Sequence, residues 1–147
     1  MEKHLCQLNI ATMKTSLDHP SMVDFVNGLD AVNQLAERHP GFIWRLKDET
    51  ASNATSIRPF GENAIVNMSV WESAHFLRDF VYKSLHKEYL KRKSEWFEKM
   101  DVYQVLWWVP KGHVPNLEEA KQKLEHLKTH GPTTEAFGFA EALRNYA

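Results

Sequence analysis

Residues 64–71 read AIVNMSVW. Successive side chains on a strand point to opposite faces. Ala64, Val66, Met68 and Val70 therefore make one wholly apolar face, and Ile65, Asn67, Ser69 and Trp71 make a mixed one. This alternation, entered through the turn-prone Gly61-Glu62-Asn63, predicts a strand. Its flanking segments decide the architecture.

Upstream, residues 4–12 (HLCQLNIAT) alternate in the same way. His4, Cys6, Leu8 and Ile10 oppose Leu5, Gln7, Asn9 and Ala11. Between the two strands, Met22, Phe25, Val26, Leu29, Val32 and Ala36 recur at helical spacing. Asp18 is the expected cap, and Pro40-Gly41 ends that helix by His39. Residues 41–48 (GFIWRLKD) predict a second strand, with Phe42, Trp44 and Leu46 on one face and Ile43, Arg45 and Lys47 on the other. IRPF (57–60) is expected to resume an edge strand interrupted by Pro59.

Downstream, residues 73–99 predict a helix broken near Ser84–His86, with Phe76, Leu77, Phe80, Val81 and Leu85 as its buried stripe. Residues 102–109 (VYQVLWWV) predict a fourth strand. A further helix starts after Asn116 as N-cap and stops at Gly131-Pro132. The tail, 133–147, carries Phe137, Phe139 and Leu143 and is expected to pack.

The order is β-α-β-β-α-β with an appended helix. It predicts an α+β fold, a ferredoxin-like antiparallel sheet with helices on one face, in a single domain over 1–147. Two helices cover only one sheet face. The mixed face is the one expected to stay open and to be closed by a second copy, giving a homodimeric α/β barrel. Phe80 is expected to oppose Val70 between helix and sheet.

The 147 residues carry a net charge of −1, with 43% hydrophobic and 25% charged side chains. No basic excess argues for nucleic acid. No apolar run is long enough for a membrane span, and the N-terminus has no signal-like apolar region. One cysteine, Cys6, rules out an intramolecular disulfide and fits a cytoplasmic protein.

The strings QLNIA, PGFIWRL, RPFG, VNMSVWES, FVYKSLHKEYLKRKSEWFEK, LWWVPKGHVPNLEEAKQKLEHLKTHGPT and AFGF resemble a bacterial family catalogued as a domain of unknown function. That family is placed in the dimeric α/β-barrel superfamily, and the resemblance runs from about residue 4 to 139. It implies homodimers with a pocket between sheet and helices. It also implies relatives among antibiotic-biosynthesis-type monooxygenases, which often work without a cofactor, and among haem-binding proteins.

His75, Asp79, Tyr82 and His86 are spaced by four, three and four residues, so one helical stripe could hold them all. A solvent-facing helix has the same pattern. His86 is the candidate base, because its ordinary pKa of about 6.5 lies near neutrality. Tyr82 would orient a substrate oxygen, and Arg45 would stabilise developing negative charge. Asn67 and Trp71 would floor the site, with Trp44 and Asn9 as further ligand contacts. No metal site is expected, since HExxH and cysteine clusters are absent. No cofactor is the first expectation. Haem on His86 or Tyr82 is the second, and a non-catalytic ligand-binding scaffold is the third reading.

Overall fold

A computed structural model describes residues 2–48, 53–83, 86–99 and 102–144. The strands are β1 (Lys3–Thr12), β2 (Phe42–Arg45), β3 (Ala64–Trp71) and β4 (Gln104–Pro110). All pairings are antiparallel, and the order across the sheet is β2-β3-β1-β4. The fold is therefore α+β and ferredoxin-like. A 3₁₀ turn (Pro20–Met22) leads into α1 (Val23–Arg38). His19, not Asp18, caps that turn, accepting from the Ser21 backbone N–H. After β3 come α2 (Ala74–Lys83), α3 (His86–Lys91) and α4 (Lys93–Trp96); the expected break near Ser84–His86 falls at positions 84 and 85, outside the described residues. No strand forms at 57–60, where Pro59 lies in a turn.

Each sheet face has its own cover. Cys6, Leu8, Ile10, Val66, Met68, Val70, Val105 and Trp107 pack on Ala120 and Leu124 of α5 (Leu117–His130), with Ile57 and Phe60 at the margin. Leu5, Trp71 and Leu106 of the opposite face pack on Ala36 of α1, on Leu77 and Phe80 of α2, and on Ala142 of α6 (Phe139–Arg144). The mixed face thus lies under the paired helices rather than open, and the apolar face is covered by α5. The two-fold strand period makes this reversal complete: every residue of a strand changes cover together. Phe80 accordingly stacks on Trp71, centroids 5.4 Å apart, and not on Val70.

Strand β2 departs from simple alternation. A register shift lies between Phe42, opposite Trp71, and Trp44, opposite Val70. The extra residue of a bulge moves the rest of the strand to the other face. Phe42 joins the α2 side, Trp44 joins the α5 side, and the two do not share a face. Helix α5 starts as its sequence dictates, with Asn116 Oδ1 accepting from the Glu119 N–H at 2.8 Å. The Glu119 carboxylate turns instead to the sheet and accepts from Trp107 Nε1 at 2.8 Å. The tail folds over the β4 edge: Leu106 and Phe137 exchange both backbone hydrogen bonds, and Phe137 is fully buried. This isolated bridge covers the β4 edge at Leu106 alone.

Candidate functional site

On the face under α1, α2 and α6 the sheet alternates between apolar and polar rows. One apolar cluster holds Leu5, Trp71 and Leu106. A second, toward the other end of the strands, holds Ile65, Met13, Met22 and Trp96. Between them run two polar rows. Arg45, Ser69, Gln7 and Leu106 are in register in the first, and Asn67, Asn9 and Gln104 in the second.

The first row is tightly wired. Gln7 Nε2 donates to Asn67 Oδ1 at 2.5 Å and to Ser69 Oγ at 2.8 Å. Trp71 Nε1 donates to the same Ser69 oxygen at 2.8 Å. Gln7 and Ser69 are buried, so these bonds offset the desolvation of their polar groups. Asn67 is different. It is exposed while Val66 and Met68 on either side of it are buried, so the helical layer is open above the middle of β3. Beside it, Asn9 Oδ1 is buried and has no hydrogen-bond partner among the described residues. Trp96 Nε1, in the adjoining cluster, has none either. Buried polar atoms without partners are uncommon in folded proteins, and each calls for a water, an ion or another partner; His4 Nδ1, on the α5 face, is a third among the described residues.

The candidate residues divide accordingly. Asn67, Asn9 and Trp71 come together, with Trp71 acting from below: it is 1% exposed and holds Ser69 rather than meeting solvent. Arg45 sits at the end of the first row, its side chain 10% exposed, and pairs with Glu37 of α1 at 3.0 Å. Trp44 lies on the opposite face and does not join them. Tyr82 is 48% exposed on the outer side of α2, its ring 6.2 Å from Phe139, away from the polar rows. His75 is exposed on the same helix. The side chain of His86 lies outside the described residues. Gln7, Ser69 and Gln104 complete the floor. Gln7 and Ser69 carry a signal in the alternation itself, as polar residues spaced by two within otherwise apolar strands. None of Gln7, Asn9, Asn67, Ser69 and Gln104 titrates near neutral pH, so this floor binds and orients through neutral hydrogen bonds.

Residues 4–146 match the family described as "Domain of unknown function (DUF3291)", and the chain belongs to that family. No curated protein matches it. Among solved structures, it is similar to SnoaB, a cofactor-independent oxygenase from Streptomyces nogalater, at 14% identity and a TM-score of 0.49, covering 78% of this chain and 99% of that one. A point mutant of SnoaB matches at 12% identity and 0.47, over 76% and 95% of the two chains. A protein of unknown function from Nitrosomonas europaea, NE2512, matches at 9% identity and 0.48, over 78% and 94%. No described helix is long and apolar enough to cross a membrane.

Proposed function

We propose that this member of the DUF3291 family binds a small, electron-rich aromatic molecule over the Asn67–Asn9 floor and oxygenates it in a monooxygenase-type reaction without a cofactor. The observation that carries the reading is the exposed Asn67 beside the unpartnered, buried Asn9 Oδ1. Together they offer a ligand hydroxyl or carbonyl two neighbouring amides in a largely apolar surround. The oxygenase part rests on the superfamily resemblance and on the chemistry of the floor. Because the floor supplies no base, the substrate must be acidic enough to ionise with little help, as phenols and quinols are. A phenol and O2 then give a quinone and water: the substrate gives up four electrons, one oxygen atom becomes the new carbonyl, and the other leaves with two hydrogens. In this reading His86 is the candidate proton acceptor, while Tyr82, exposed on the outer side of α2, takes no part at the floor. Arg45 supplies positive charge at the end of the first row.

The same reading includes a homodimer, supported by the superfamily resemblance and by the exposed Val23, Val26 and Leu35 of α1 and Ile43 of β2. Light scattering should return twice the 17.1 kDa chain mass. The test of function is O2 consumption by the purified protein with a panel of phenols and quinols. Turnover should vanish in Asn67→Ala while the protein stays folded. Turnover unchanged by Asn67→Ala would overturn the site, and no binding or turnover across the panel would overturn the function.

A further inference from the structure

Helix α5 ends on His126-Leu127-Lys128-Thr129-His130. Residues four apart share a helical face, and here the two imidazole rings meet, centroids 4.6 Å apart and inclined by 47°. We propose that His126 and His130 form a two-imidazole site for a first-row transition-metal ion, with copper(II) or nickel(II) as the best fit. It lies on the outer side of α5, across the sheet from the Asn67 floor, and is independent of the function proposed above.

Three observations support it. The first is spacing. A metal about 2.0–2.1 Å from one nitrogen of each ring places the ring centres about 4.5–5.2 Å apart, for nitrogen–metal–nitrogen angles running from right-angled to tetrahedral. The observed 4.6 Å falls at the right-angled end. That end suits the square-planar or tetragonal sites of copper(II) and nickel(II), and copper is also the tightest binder of the divalent series.

The second is the partner of the far ring nitrogen. His126 Nε2 lies 2.9 Å from Thr133 Oγ1. The Lys123–Glu135 ion pair, at 3.1 Å, ties this turn back to α5, and the Glu135 backbone N–H also donates to Thr133 Oγ1. With Nε2–H donated to that oxygen, Nδ1 of His126 carries the lone pair. Metal-bound histidines are oriented in this way, by an oxygen on the nitrogen that does not bind the metal. Thr133 is thus a positioning residue.

The third is access. His130 is exposed, and its ring has no hydrogen-bond partner among the described residues. Gln122, Glu125 and Thr129 line the same shallow groove along α5 as the two histidines. Water, or the Glu125 carboxylate, would complete the coordination. No group of three or more His, Cys, Asp or Glu ligands is found among the described residues. The site is therefore a two-histidine chelate with open positions rather than a closed structural centre.

The test is a titration of the full chain with copper(II) chloride, read by calorimetry and by electron paramagnetic resonance. One equivalent should bind, with nitrogen hyperfine structure from imidazole. His130→Ala should weaken binding by at least about tenfold and Thr133→Val by about tenfold, the scale on which second-sphere partners act. His19→Ala, on an exposed histidine elsewhere, should leave binding unchanged. Because His130 is exposed and ends the helix, its substitution keeps the test informative even if His126→Ala disturbs folding. Failure of the wild-type protein to bind one equivalent would overturn the proposal. So would binding that survives His130→Ala, or loss on His19→Ala.

Discussion

The two faces of one sheet are built differently. Under α5, the interior is mostly apolar, with the Cys6 thiol, the Trp107 indole bonded to Glu119 and the buried His4 as its polar groups, and burial supplies most of its stability. Under α1, α2 and α6, two apolar clusters are parted by a strip of amides and a hydroxyl that holds together only through its hydrogen bonds. The first face carries few polar groups and is packed along most of its length. The second gives up packing at its centre and keeps Asn67 in contact with solvent. The contrast teaches where to look for function: not where the core is largest, but where it is interrupted by polar groups that the chain itself only partly satisfies.

The largest effects should come from breaking the apolar parts of the face under α1, α2 and α6. Phe80→Ala is expected to cost about 3–5 kcal/mol, measured by denaturant unfolding. A double-mutant cycle should show Phe80 coupled to Trp71 by about 0.5–1.5 kcal/mol, as stacked rings are. Phe80 and Val70, on opposite faces, should be additive within about 0.5 kcal/mol. Coupling of Phe80 to Val70 instead would mean that the two covers have been assigned to the wrong faces.

Substitution in the polar strip should cost less and reveal more. Gln7→Leu removes the donor to both Asn67 and Ser69 inside the protein and should destabilise by about 1–3 kcal/mol. Asn67→Ala should cost about 1 kcal/mol, because Asn67 is already in contact with water, while ligand binding is lost. If both substitutions left stability and binding untouched, the strip would neither hold the sheet face together nor receive a ligand.

On the α5 face the contrast can be sharpened by pH. Burial, with a smaller contribution from the Glu119 charge, pushes the Cys6 thiol from its ordinary 9.0 up to about 12. The folded state then keeps a proton that the unfolded state loses between these values. Stability from this group is complete below pH 9 and falls as pH rises toward 12. The slope is about 1.4 kcal/mol per pH unit at most. Unfolding free energies of wild type and Cys6→Ala measured across that range should converge as pH rises. Parallel curves would mean that the thiol ionises freely in the folded protein. An effect of the same small size as that of Asn67→Ala belongs to the start of α5, where Asn116→Ala should cost about 1 kcal/mol by removing the cap. A thermal melt of that variant, set beside Phe80→Ala, gives the scale of local against tertiary terms.

Much of the architecture is legible in the chain itself. The alternation of 4–12 and 64–71, the helical recurrence from Met22 to Ala36, and the Asn116 and Gly131 signals all reflect local geometry, which is periodic and therefore readable. The polar strip is legible as composition: Gln7, Asn9, Asn67 and Ser69 stand out as polar residues on strands. Strict alternation puts Trp44 on the wrong face because a bulge has no period. One inserted residue reverses the faces of everything after it, and only pairing with Val70 reveals it. Alternation also presents Trp71 as part of the floor for a ligand, yet it is 1% exposed and supports Ser69 from the core.

By itself, then, the sequence determined the order of elements, the division of each strand into two faces, and which face was polar. Only the tertiary structure decided which cover each face received. Tertiary packing also set Asn67 open beside an unpartnered Asn9, and it turned Thr133 toward His126 at the end of α5. The physical reason is range. Side-chain periodicity arises from the backbone geometry of a few consecutive residues, whereas burial and hydrogen-bond partnership depend on segments distant in the chain, and nothing local records which segment will arrive.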